Sequence, residues 1–151
     1  MLLERIPAAV GKGLFAGAFG TAAMTLSSTV EAKVRGRGGS QTPAEAICRL
    51  LGVETMGEEE KNRLTNLVHW TYGTSLAVLR GLIAVAGLRG PRAAAAFFGV
   101  VWAGELLALP AISVSPPATE WGKEEIAIDA THHFVYALAT SLAYEFLNRE
   151  R

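Results

Sequence analysis

Residues 93–114, AAAAFFGVVWAGELLALPAISV, are apolar for a full membrane thickness and carry one ionisable side chain, Glu105, near the middle. At about 1.5 Å of rise per residue, a helix of that length crosses a hydrocarbon core of about 30 Å. A carboxylate at that depth must face protein or trapped water, because exposing it to lipid costs several kcal/mol. Three further runs, residues 8–30, 64–86 and 126–147, share the lack of a charged face. A soluble helical bundle needs such a face on every surface helix. Half of this chain is apolar, and its charges gather between the runs rather than within them. The expected fold is therefore all-α: a single membrane domain over residues 1–151, built as an integral four-helix bundle.

The charge balance excludes one class of partner. Lys plus Arg and Asp plus Glu both number 14, so no basic surplus points to nucleic acid. The single Cys48 rules out an intrachain disulfide and a multi-cysteine metal site. Ser27, Ser28 and Ser141 lack the Gly-x-Ser-x-Gly elbow of a hydrolase. Gly11, Gly13, Gly17 and Gly20 lie inside an apolar run rather than after a strand, so they form no phosphate loop. No catalytic residue is assigned, and an enzyme is not the expected class. The first run is long for a cleaved signal sequence, and Lys12 lies inside it, so it is read as a helix of the mature protein.

Pro7 suits the first turn of the opening helix. Gly13, Gly17 and Thr21 then follow at four-residue spacing, which lets two membrane helices approach closely. Ala95, Gly99 and Ala103 repeat that spacing in the third run. Between the first two spans, the GRGGS run of residues 36–40 breaks the helix, and Thr42, Pro43 and Glu45 read as a capping box with proline at the first helical position. The short segment so begun, residues 42–52, ends at Gly52 and presents Ile47, Leu50 and Leu51 on one face, as an interfacial amphipathic helix would. Glu58, Glu59 and Glu60 fit a solvated first turn of the next helix. Pro110 is expected to kink the third span, and Trp121 to anchor the following loop at the interface. Four spans put both termini on one side. The acid-free Arg89 and Arg92 in the shortest loop favour a cytoplasmic location for them.

The ionisable residues at membrane depth are His69, Arg80, Glu105, Asp129, His132, His133 and Glu145. Charge in a span is expensive and needs a partner. In the plainest reading, Glu105 pairs with a histidine or with Arg80 and fixes helix register. In a second, Glu105, Asp129 and the histidines relay protons or ions, since histidine titrates near neutral pH. In a third, His69 and His133 lie at similar depth on two helices and ligate a haem b, although no cofactor is favoured. A non-haem metal bound by His69, Glu105, Asp129 and His133 is a fourth, with Asp129 and His133 the one pair spaced to chelate from a single helix. The His-x-x-Tyr-small pattern at His69–Gly73 and His133–Ala137 also raises the prospect of two similar hairpins.

The motifs LFAGAFGTAAM at residues 14–24, ELLALPAISVSPP at 105–117 and EEIAIDATHH at 124–133 run in order along most of the chain, with a gap over residues 38–61. In these motifs the chain resembles the YagU family of small bacterial inner-membrane proteins. The resemblance implies an integral inner-membrane protein of uncharacterised biochemistry with a suggested link to acid tolerance. The expected function is a structural or accessory subunit of a larger membrane complex. Its expected partners are the bilayer and other membrane subunits or further copies of itself.

Overall fold

Helices dominate the computed structural model, which describes residues 3–53 and 56–149. In chain order they are α1 (Ile6–Val34), α2 (Thr42–Leu51), α3 (Glu58–Leu76), α4 (Val78–Val85), α5 (Gly90–Ala111) and α6 (Lys123–Asn148), with short 3-10 turns at Leu3–Arg5 and Ala118–Glu120. No strand occurs among the described residues. The long elements alternate in direction: α1 packs against α6 and against α3 and α4, while α5 packs chiefly on α6 and to a lesser extent on α4. Two helices, α1 and α5, are long and apolar enough to cross a membrane. The expected second run is divided, and α6 carries Glu124, Glu125, Asp129 and Glu145, so neither has the same uninterrupted apolar length.

Backbone contact holds α1 to the α3–α4 arm. A Cβ added to Gly13 would lie 2.8 Å from the Ala77 carbonyl oxygen, and one on Gly17 would lie 2.6 Å from the Thr74 oxygen. From the other side, a Cβ on Gly73 would lie 2.5 Å from Thr21 Oγ1, and one on Gly81 would lie 2.9 Å from the Ala9 carbonyl carbon. Two stripes with four-residue spacing therefore interlock in opposite directions: Ala9, Gly13, Gly17 and Thr21 on α1, and Gly73, Ala77 and Gly81 along the α3–α4 arm. Each closes the gap that a side chain would hold open. Gly20 faces α6 instead, where a Cβ would come within 2.9 Å of the Tyr136 carbonyl oxygen.

The second expected span divides at this contact between α1 and the arm. At Ala77, which is wholly enclosed, the helical pattern tightens, and the Arg80 N–H donates to the Ala77 carbonyl at 3.0 Å, an i to i+3 bond. The run over residues 64–86 is thus α3 and α4 rather than one helix. Pro110 does not kink α5 in mid-course. It lies in the last turn, Ala111 ends the helix, and Ser113 follows at φ 58°. The ring removes a donor where the helix is already stopping. At α2 the expected capping box is not formed, because Thr42 is already helical and Gln41 is the N-cap without a side-chain bond. The reach-back by an acid occurs at α3 instead, where Glu60 Oε2 accepts from the Gly57 N–H at 3.2 Å. Gly52 closes α2 at φ 67°, as expected of a left-handed cap.

The small-residue stripe of α5 is turned away from the rest of the chain. Ala95, Gly99 and Ala103 are exposed, and a Cβ on Gly99 would meet nothing within 4 Å. The inward face carries the buried Ala93, Phe97 and Val101, of which Phe97 and Val101 join Ala77, Tyr136 and Ala137 in the core. These three outward residues are therefore not packing positions within the chain.

Candidate functional site

Glu105 from α5 and Asp129 and His133 from α6 converge about two turns inside their helix ends. One ligand-capable atom of each lies within 4.8 Å of the others. Their arrangement follows from helical spacing. Asp129 and His133, four apart, share a face of α6, and Glu105 lies one turn beyond Val101 on the buried side of α5. His133 is 6% exposed, whereas Glu105 and Asp129 are half-buried. The His133 Nδ1 atom lies 2.9 Å from the Asp129 carbonyl oxygen, which can only accept, so that nitrogen carries a proton and donates. Its Nε2 atom faces the Glu105 carboxylate in a direct ion-pair contact. The Asp129 carboxylate in turn accepts from the Trp102 indole, Nε1 to Oδ2, at 2.8 Å.

His69 is not part of this group. Its Nε2 atom lies 2.9 Å from Thr25 Oγ1, on α1. The Thr25 hydroxyl proton is already directed at the Thr21 carbonyl, 2.7 Å away, so His69 Nε2–H is the donor of that pair. His132 also faces α1: its Nδ1 lies 2.8 Å from Ser27 Oγ, and its Nε2 is 3.7 Å from Glu31 Oε2 with no hydrogen-bond partner among the described residues. The two His-x-x-Tyr motifs diverge in use. Tyr136 is enclosed and donates to the Gly73 carbonyl at 2.5 Å, whereas Tyr72 is 61% exposed.

A separate lock lies at the other end. Arg80 is fully enclosed, donates from Nε to Ser141 Oγ at 3.1 Å and from Nη2 to Glu145 Oε1 at 2.6 Å, and lies over the Tyr144 ring. Glu105 and Arg80 thus take different partners, His133 and Glu145. At the opposite rim, Arg35 clasps Glu125 with two hydrogen bonds of 2.8 and 3.3 Å, and Arg37 pairs with Glu31. The Arg35 guanidinium holds the Glu125 carboxyl below its ordinary value, and Glu125 holds Arg35 above its own.

The arrangement does not fit a haem between His69 and His133. The two imidazoles do not turn to a shared space: His69 Nε2 is directed at Thr25 on α1, whereas His133 Nε2 is directed at Glu105 on α5. Chemically, two carboxylates beside one imidazole of fixed tautomer can share a proton or hold a divalent cation. The residues that sequence reading missed are the partners: Thr25, Ser27 and Trp102, together with the Gly73, Ala77 and Gly81 stripe. That stripe was visible as four-residue spacing, but single hydroxyls and an indole in apolar runs carry no comparable signal.

Comparison with protein-family models, with curated proteins and with solved structures gives no match for this chain.

Proposed function

We propose that this chain is a small multi-pass protein of the bacterial inner membrane, YagU-like, acting as a structural or accessory subunit. In this reading α1, the α3–α4 arm, α5 and α6 are the four spans, α2 lies at the interface, and the termini are cytoplasmic. The observation that carries it is reversed polarity. The largest wholly enclosed side chain is Arg80, while Leu107, Phe146, Leu142 and Phe15 are exposed. Only 17% of the most apolar stretch of α5 and 28% of that of α1 are covered by the rest of the chain. A core helix of a water-soluble domain would be mostly covered, and lipid is the solvent that suits the opposite arrangement.

The accessory role is supported by the outward Ala95, Gly99 and Ala103 face of α5, which is flat enough for another helix to approach closely. Every strongly buried ionisable group also has an internal partner that tends to lock the helices. Native mass spectrometry from a gentle detergent tests both parts. Added mass from a second subunit or a second copy is expected. A monodisperse monomer in plain buffer would overturn the membrane reading, and a monomer under every detergent condition would overturn the accessory one.

The Glu105–His133 contact favours a second reading, a proton- or ion-responsive membrane protein. The Nε2 atom and the carboxylate face each other directly, an arrangement across which a proton can pass. Proton flux in liposomes that falls in Glu105→Gln supports it, and equal flux with and without the protein excludes it.

A further inference from the structure

We propose that Glu105, Asp129 and His133 form a binding site for a single first-row divalent transition-metal ion, of which Zn²⁺ is the probe. The proposal goes beyond the membrane and accessory readings and depends on neither, because the three residues are brought together by the α5–α6 contact itself.

Four features of the geometry point to it. One ligand atom from each residue already lies within 4.8 Å of the others, so small side-chain shifts, Glu105 back from the His133 Nε2 atom and Asp129 toward it, bring all three to bonding distance of one ion. The His133 tautomer is the one a metal needs. Nδ1–H donates to the Asp129 carbonyl at 2.9 Å, the outer contact that orients metal-bound histidines, so Nε2 is the nitrogen that takes the ion, which displaces the proton lying between it and Glu105. The Trp102 indole holds Asp129 Oδ2 at 2.8 Å and so fixes the carboxylate plane while leaving Oδ1 available. Finally, the Glu105 and Asp129 side chains keep 27% and 24% of their exposure, so an ion has a route in, while His133 closes the inner side.

Charge selects the ion. Two carboxylates and a neutral imidazole are neutralised by one divalent cation. With a proton in its place, the group keeps a net negative charge inside a largely apolar helix pair. One nitrogen and two oxygens suit zinc and its first-row neighbours better than magnesium or calcium, which take oxygen donors throughout. Three protein ligands also leave a coordination position open to water or another small ligand.

The test uses the full chain in mild detergent, stripped with a chelator and titrated calorimetrically with Zn²⁺, with Co²⁺ absorbance as the reporter of coordination. One Zn²⁺ per chain is expected, with loss of binding in Glu105→Gln and in His133→Gln. Trp102→Phe keeps all three ligands and loses only the outer contact, so it should weaken binding about 10- to 100-fold. His69→Gln, outside the group, should leave affinity unchanged. Helix content measured on each variant separates lost ligands from lost fold, and Trp102→Phe keeps the question open to test if a ligand variant fails to assemble. Absence of stoichiometric Zn²⁺ binding by the wild-type chain overturns the proposal. So does binding that survives Glu105→Gln and Trp102→Phe undiminished.

Discussion

Arg80 and Glu145 meet at 2.6 Å across the α4–α6 interface, and the same carboxylate oxygen accepts the Gly90 N–H at 3.0 Å, so one acid ties α4, α6 and the start of α5 together. Removing one partner of an enclosed pair leaves a charge without compensation, which costs about 3–5 kcal/mol, whereas removing both costs much less. Glu145→Ala is therefore expected to lower stability by about 3 kcal/mol. Combining it with Arg80→Met should recover much of that loss. Reversible unfolding in mixed micelles measures both, and a double variant less stable than Glu145→Ala would contradict the assignment.

The interlocked glycines separate sharply from the free ones. Gly81→Ala and Gly17→Ala drive a methyl into backbone of the neighbouring helix and should lower the unfolding midpoint. Gly99→Ala and Gly104→Ala meet nothing within 4 Å, and a helical alanine is favoured over glycine by about 0.5–1 kcal/mol, so these should be neutral or slightly stabilising. Equal effects at Gly81 and Gly99 would mean that α1 and α4 do not meet as described.

The exposed apolar belt predicts where a charge is tolerated. Leu138, 41% exposed near the middle of α6, faces lipid in the proposed membrane arrangement, and arginine at such a depth costs about 2.5–3.5 kcal/mol on insertion scales. Val34, at the end of α1, lies at the rim. Leu138→Arg should reduce the membrane-integrated fraction and Val34→Arg should not. Alkaline extraction of membranes reads the difference, and indifference to both changes would count against lipid as the surrounding solvent.

At the charged rim the sign of the pH effect is set by Glu125. Its hydrogen bonds to Arg35 hold its folded-state pKa below the ordinary value of 4.5. The carboxylate therefore contributes stability that is complete above about pH 4.5 and is lost as pH falls through the depressed folded value. Thermal midpoints recorded from neutral to acid pH should fall less steeply on the acid side for Glu125→Gln than for the wild type. Because the pair is exposed, added salt should shrink the difference. An unchanged acid limb in the variant would show that this pair makes no pH-dependent contribution.

Helical class, the stop at Gly52 and the close-packing role of Gly13, Gly17 and Thr21 were legible because each rests on local spacing or backbone geometry. The break at Ala77 was not, since it coincides with the close approach of α1 at Gly13 and Gly17, between residues far apart in the chain. For the same reason the spacing of Ala95, Gly99 and Ala103 was visible while the direction they face was not. Among the polar groups, the Asp129–His133 pair could be read from one helix. Its junction with Glu105, and the diversion of His69 to Thr25, depend on how separate helices turn toward each other.

Where α1 meets the α3–α4 arm, only small side chains such as those of Thr21 and Ala77 lie between the glycines of the two backbones, and that half of the molecule has little slack in which to slide or roll. α5 has no such engagement: it rests on α6 through ordinary side chains and turns its bare face outward. Any rocking of the bundle is thereby assigned to α5. Glu105 would travel with it, so the separation between that carboxylate and the imidazole on α6 becomes a gauge of how far the helix has tilted.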